Sequence, residues 1–310
     1  MEKEKNETLA SEIIADLMKT ADKKKKLIDL INSIEKPGSI ARLFLHMEKG
    51  EIWEIMKTIV LSNQKGGVGK TTTSNALAAG LNNRGYRVLA VDLDPQCNLS
   101  LSCGVDMLAA EETLYHVFKG ESGVKETIIP LKLGFDLLPG GLMLSGADMD
   151  FTQTGREYML SEALEEVAGN YDFCIIDTPP TLGVLTVNAM TAADYVIVPL
   201  TADLYALQGL TQLNGLINNI RKYCNRGLQI AGILLTKYND RQNISKALKG
   251  SIEQAAEKLG AQVFETCIRE GVAIREVQLM KSDLFTEAPK AKVTQDYNDF
   301  ISELQERIDN

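Results

Sequence analysis

The sequence predicts a doubly wound, mostly parallel α/β sheet over residues 56–310, with a helical N-terminal extension over residues 1–55. Three observations lead there. Short apolar runs that read as buried strands alternate with longer helix-forming stretches. Two of those runs, in the strings VDLDPQ and IIDTPP, end in carboxylates, where an open parallel sheet presents its ligand site. Between the first run and the first helix lies the glycine-rich string SNQKGGVGKTT.

Residues 1–55 read differently from the rest. An apolar stripe at Ile13, Ile14, Leu17, Leu27, Ile28, Leu30 and Ile31 is broken by the lysine run 23–26. Pro37, Gly38 and Ser39 signal a turn, and Ile40, Leu43, Phe44, Leu45, Ile52, Trp53 and Ile55 form a second amphipathic stretch. Two helices joined by a short turn are expected. So short an arm holds too little core to stand alone, so it should pack on a partner, on another copy or on the main domain. Met56 opens the main domain so cleanly that an upstream translation start and an appended segment are both open readings of the arm.

The main domain is expected to run as a strand at 59–61, a helix at 75–81 and a strand at 87–92. Residues 99–155 read as irregular, with a short helix at 113–118 and a strand at 135–138. A helix at 157–167 and strands at 171–177 and 194–200 come next. Then follow a helix at 205–221, a strand at 228–236, a helix at 245–259, a short strand at 262–264 and a last helix at 294–308.

In the glycine-rich string, Gly66, Gly67 and Gly69 let successive N–H groups around Val68 point at one anion, and the helix behind adds its positive end. Lys70 is placed to reach β- and γ-phosphates, the Thr71 hydroxyl to ligate Mg²⁺, and Thr72 to complete the cradle. Lys65 is surplus to such a loop and asks for its own explanation. Asp177 and Asp92 suit the outer shell of the metal, which leaves Asp94 to orient a water against the γ-phosphate. Thr178 stands after Asp177 where a dedicated glutamate base would be expected, so slow hydrolysis is expected, suited to a timer rather than a motor.

Composition bounds the remaining classes. No apolar run approaches the roughly 20 residues of a membrane span, and MEKEKNETLA lacks a signal peptide's apolar core, so a cytoplasmic protein is expected. Five scattered cysteines with no CxxC pair speak against a zinc or iron–sulfur site and against a disulfide framework. The net charge is −9, but residues 91–215 carry 4 basic and 18 acidic residues whereas 216–295 carry 13 basic and 8 acidic. That asymmetry fits one anionic and one cationic face.

The strings KGGVGKTT, VDLDPQ and IIDTPP, followed by VIVPL and GILLTKY, resemble the ParA family of partition ATPases. These are P-loop NTPases with a deviant Walker A loop, grouped with MinD and the nitrogenase iron protein. The resemblance implies a Mg²⁺-dependent ATPase that forms an ATP-sandwich homodimer, binds duplex DNA non-specifically on the nucleoid and is released by a ParB-like adaptor. It implies that Lys65 crosses to the other subunit's nucleotide, Gly66 packs at that interface and Asp94 serves hydrolysis. Arg241, in KYNDRQNIS, matches an arginine near a DNA-binding stretch. With the other basic residues of the cationic segment it makes a candidate DNA-contact set of Arg221, Lys222, Lys237, Arg241, Lys246, Lys249, Arg269, Arg275 and Lys281. Cys97 stands where the family commonly has glycine, and IREGVAIREVQ replaces its PRNVRVSEAP. A MinD-like membrane-positioning ATPase is the alternative reading; it needs a basic amphipathic tail, and DYNDFISELQERIDN is acidic. An iron-protein relative would need suitably placed cysteines.

Overall fold

A computed structural model describes residues 56–107, 110–203, 206–239 and 243–309. The helices expected in residues 1–55 lie outside the described residues. The strands are β1 (Lys57–Leu61), β2 (Val88–Asp92), β3 (Ile129–Pro130), β4 (Asp136–Leu138), β5 (Phe173–Asp177), β6 (Tyr195–Thr201), β7 (Gln229–Tyr238) and β8 (Ile268–Arg269). They form one sheet in the order β3-β4-β2-β5-β1-β6-β7-β8. Every pairing is parallel except β3 with β4, where the edge carries Pro130, a residue that cannot extend the ladder. The longer helices are α1 (Lys70–Asn82), α2 (Val184–Ala192), α3 (Ala206–Tyr223), α4 (Asn243–Lys258), α5 (Val272–Met280) and α6 (Lys292–Asp309). The doubly wound, mostly parallel sheet is as the alternation of runs predicts.

Both faces of the sheet are covered, and β2 and β5 are buried along their whole length. Runs such as FCIID and VLAVD therefore need no polar alternation. One core, with Leu89, Val91, Ile176 and Val198, lies on the face that carries α2 and α3; a second, with Ile59, Leu77, Ile175 and Phe300, lies beneath α1 and α6. Helix α6 buries Val293, Tyr297, Phe300, Ile301, Leu304 and Ile308, one helical stripe. Each such side chain is worth about 1.5–3 kcal/mol when fully buried. Gly80 lets α6 and the Phe285 ring approach α1: a Cβ there would stand 2.2 Å from Ile301 Cδ1.

The register positions the site. Leu61 pairs with Asp177 and Ile197, and Asp92 pairs with Asp177, so the carboxyl ends of β1, β2 and β5 meet at one place.

Several elements differ from the sequence expectation, three of them near the site or the sheet edge. The strand expected at 262–264 is a single bridge between Val263 and Ile233, and β8 pairs with β7 instead. Arg307 accounts for this, because its guanidinium donates to the carbonyls of Val263 (2.9 Å) and Ala231 (3.2 Å), acceptors a longer ladder would use. Helix α2, VLTVNAMTA, escapes a periodicity search because eight of its residues are buried on all sides. Helix α5 occupies part of the variant string IREGVAIREVQ.

Candidate nucleotide site

The loop between β1 and α1 is built for an anion. Gly67 and Gly69 sit at φ 73° and 87°, the left-handed region that glycine enters without strain. No atom lies within 4 Å of where a Cβ would stand on Gly66 or Gly67, so the cradle is open there. Helix α1 has no side-chain cap and no acidic residue in its first turn, so its leading N–H groups remain available. The loop is fastened from outside as well. Thr236 Oγ1, on β7, donates to the Val68 carbonyl at 2.7 Å, and Asn63 Nδ2 donates to the Pro199 carbonyl at 2.7 Å.

Lys70 is buried, and its Nζ donates to the main-chain oxygens of Asn63 (3.1 Å) and Lys65 (3.4 Å). Burial pulls its pKa down, while Asp177 and Asp94 push it back up. Thr71 Oγ1 donates to Asp177 Oδ2 at 2.6 Å, and Ser74 Oγ to Asp177 Oδ1 at 3.2 Å. Thr72 Oγ1 lies 3.4 Å from Gln278 Nε2 of α5.

The three aspartates converge but are not equivalent. Asp177 is fully buried, and its carboxyl is pushed up to about 7, chiefly by burial and then by Asp92. Asp92 is pushed up to about 6 by burial, against the pull of hydrogen bonds from Ser100. Its Oδ2 accepts the Ser100 N–H (2.8 Å) and hydroxyl (2.7 Å), and its Oδ1 the Asp94 N–H (3.2 Å). Asp92 thus holds the turn that carries Asp94, a step behind the loop. Asp94 Oδ1 accepts the Gln96 N–H at 2.9 Å. Cys97 sits at φ 54°, which explains why a glycine suits that position; its buried thiol is pushed up to about 11.

The raised carboxyl of Asp177 has a measurable consequence. Without ligand, the folded chain keeps a proton there that the unfolded chain has released above its ordinary 3.8, so this group's contribution to stability falls as pH rises toward about 7. Asp177→Asn removes that titration. The variant is expected to gain on the ligand-free wild type between pH 5.5 and 7.5, by up to about 1.4 kcal/mol per pH unit. Denaturant unfolding at the two pH values checks it; a difference that stays constant refutes it.

Lys65 is half exposed, at 45%, and forms an ion pair with Asp203, beyond the end of β6; Thr201 Oγ1 lies 3.4 Å from its Nζ. The surplus lysine therefore stands on the rim, apart from buried Lys70. Sequence reasoning did not single out Ser74, Ser100, Asp203 or Thr236. Thr178 donates to the Leu61 carbonyl at 2.7 Å and fastens β5 to β1. Thr236 and Asp203 come from segments far along the chain, and no local spacing announces them.

The basic residues do not form one cluster on a single element. Arg221 Nε donates to the Leu228 carbonyl at 2.8 Å, and Arg269 makes a two-pronged ion pair with buried Asp296 at 2.6 Å that ties β8 to α6. Lys222 lies over the Tyr223 ring at 4.7 Å, and Lys249 approaches Glu253 at 3.9 Å. Exposed Arg275 pairs with Glu270 at 3.3 Å. Lys237 and Lys281 are exposed. Arg241 and the side chain of Lys246 lie outside the described residues.

A family model described as an AAA domain matches residues 56–230. The sporulation initiation inhibitor protein Soj of Bacillus subtilis (strain 168) is 37% identical over 250 residues, covering 80% of this chain and 98% of Soj. The chromosome partitioning protein ParA of Caulobacter vibrioides (strain NA1000 / CB15N) is 40% identical over 225 residues, covering 71% of this chain and 83% of that protein. Cobyrinic acid a,c-diamide synthase from Mycobacterium smegmatis, solved with ADP and magnesium, superposes with a TM-score of 0.73 at 33% identity, over 83% of this chain and 96% of that one. The chain belongs to the ParA/Soj family of chromosome-partitioning proteins, whose nucleotide-binding domain is a P-loop ATPase.

Proposed function

We propose that this protein is an ATP-driven DNA-partition switch. ATP binding assembles a homodimer, the dimer holds duplex DNA without sequence preference on the nucleoid, and a ParB-like adaptor triggers a slow hydrolysis that releases it. The observation that carries the reading is Lys65: a second loop lysine stands on an exposed rim beside Asp203, apart from buried Lys70, which supports a role toward a neighbour's nucleotide.

The residues present fit a nucleoside triphosphate with Mg²⁺. The cradle at Gly66 and Gly67 is open, the leading N–H groups of α1 lack side-chain acceptors, and Lys70 holds only main-chain oxygens that phosphate oxygens can replace. Thr71 and Asp177, with Asp92 behind, would hold Mg²⁺, which neutralises developing phosphate charge when bound. Asp94 orients the attacking water. No carboxylate follows Asp177, and the Thr178 hydroxyl is already committed to Leu61, which supports a slow intrinsic rate.

For DNA the candidates narrow to Lys222, Lys237, Arg241, Lys246, Lys249, Arg275 and Lys281, since Arg221 and Arg269 are engaged within the fold. Phosphate contacts by such side chains make binding strongly salt-dependent. ATP-loaded protein is expected to co-sediment with duplex DNA at low salt and ADP-loaded protein to stay in solution. Equal sedimentation with both nucleotides, or none with ATP, overturns the switch.

A further inference from the structure

One peptide plane of the phosphate loop is left loose by its own residues. Gly67 and Gly69, at φ 73° and 87°, stand on either side of Val68. The Val68 side chain is buried, so the residue itself stays in place. Its carbonyl is not fixed in the same way. A coupled rotation about Val68 ψ and Gly69 φ turns the whole Val68–Gly69 unit over, and a glycine opposes that rotation weakly. The next plane lacks this freedom, because the Gly69 carbonyl accepts the Thr73 N–H at 2.9 Å and starts the ladder of α1.

The orientation of the loose plane decides what an anion meets. In a trans peptide the C=O and the N–H that follows it point in opposite directions. The loop has a closed back and an open front: a Cβ on Gly69 would stand 3.8 Å from Thr236 Cβ and Cγ2, whereas a Cβ on Gly66 or Gly67 meets no atom within 4 Å. With the Val68 oxygen turned back toward Thr236, the Gly69 N–H is aimed away from β7. Turned over, the same unit would offer a carbonyl oxygen to the phosphate and repel it.

Thr236 holds the plane from behind. Its hydroxyl has one proton to give, and the Val68 carbonyl at 2.7 Å is the nearer acceptor; the Leu200 carbonyl lies at 3.4 Å. The Thr236 backbone is itself anchored, since it is buried and pairs with Thr201 on β6 and Ile268 on β8. Directly after it the pairing with β8 shifts register and Lys237 turns to φ 51°. A side chain rooted in the sheet therefore sets a plane that the glycines leave free, and its hydrogen bond also polarises the N–H at the far end of the same unit.

We propose that Thr236 is a positioning residue for the nucleotide: by holding the Val68 carbonyl it aims the Gly69 N–H at the diphosphate that ADP and ATP share, the part such a loop cradles with its backbone. The proposal rests on the nucleotide reading of the loop for its ligand.

The test uses the full chain and two variants. Thr236→Val keeps the branched shape and loses the donor; Thr236→Ser keeps the donor and loses the methyl. Val68–Gly69 is the one Val–Gly pair in the sequence, so ¹³C-carbonyl valine combined with ¹⁵N glycine isolates this peptide in an NMR spectrum. Without nucleotide, its resonance should move or broaden in Thr236→Val and stay near the wild-type position in Thr236→Ser. In titrations with fluorescent ADP and ATP analogues, Thr236→Val should bind both at least about tenfold more weakly and by the same factor, with Thr236→Ser within about threefold of wild type. An unmoved resonance in Thr236→Val, or undiminished affinity, overturns the proposal. So does a serine variant as weak as the valine one, which would assign the effect to packing, and so does a loss confined to ATP, which would place this N–H at the γ-phosphate. A wild-type chain that binds neither nucleotide sinks the reading of the site and the ligand named here with it; normal wild-type binding beside an unaffected valine variant sinks this proposal alone.

Discussion

Replacing Lys70 with alanine is expected to abolish nucleotide binding while leaving the fold intact. The side chain is buried at the start of α1 and bonded only to the carbonyls of Asn63 and Lys65, so it is an ammonium waiting for a better acceptor. Removing one partner of a desolvated, hydrogen-bonded charge pair costs about 2–5 kcal/mol, or some thirtyfold to several thousandfold in affinity. The same desolvation that lowers the Lys70 pKa means that the ligand-free fold gives up little when the charge is removed. Titration with a fluorescent ATP analogue should show the loss, and thermal melting without nucleotide should show none. Affinity within about threefold of wild type would refute the assignment of Lys70 to the phosphates.

Asp94→Ala should separate binding from turnover. Asp94 is buried at the carboxyl end of the β2 turn, and its backbone is held there by Asp92, so the variant loses a carboxylate without losing the turn. A positioned general base contributes about 10²–10⁴-fold, and single-turnover phosphate release should fall by that much. ATP affinity should stay within a few-fold of wild type, and the ATP-loaded variant should remain on DNA. A fall in affinity matching the fall in rate would mean that Asp94 shapes the pocket and does not act on water.

The fold was legible wherever burial followed a simple period. Runs such as VLAVD and FCIID announce central parallel strands because both faces are covered, and the stripe from Val293 to Ile308 announces α6. Helix α2 was not legible, because a helix packed on all sides loses its polar face and with it its period. The strand expected at 262–264 failed because a single distant side chain, Arg307, takes the carbonyls it needed.

The chemistry-bearing members of the site were visible from local spacing, since one loop and two strand ends contain them. Their supports were not. Thr236 lies 168 residues from Val68, and the dual role of Asp92, capping the Ser100 turn while pairing beside Asp177, depends on the register of three strands.

The packing of α6 on α1 also dictates an order of events during synthesis. Thr73, three residues beyond Lys70, has its hydroxyl 3.1 Å from that of Tyr297, 224 positions later, and Gly80 is filled by Ile301. The helix that begins at the phosphate loop thus completes its core only once α6 has been made. Contacts this distant in sequence form late and slowly. A phosphate loop made before α6 arrives therefore opens a helix whose inner face is still uncovered.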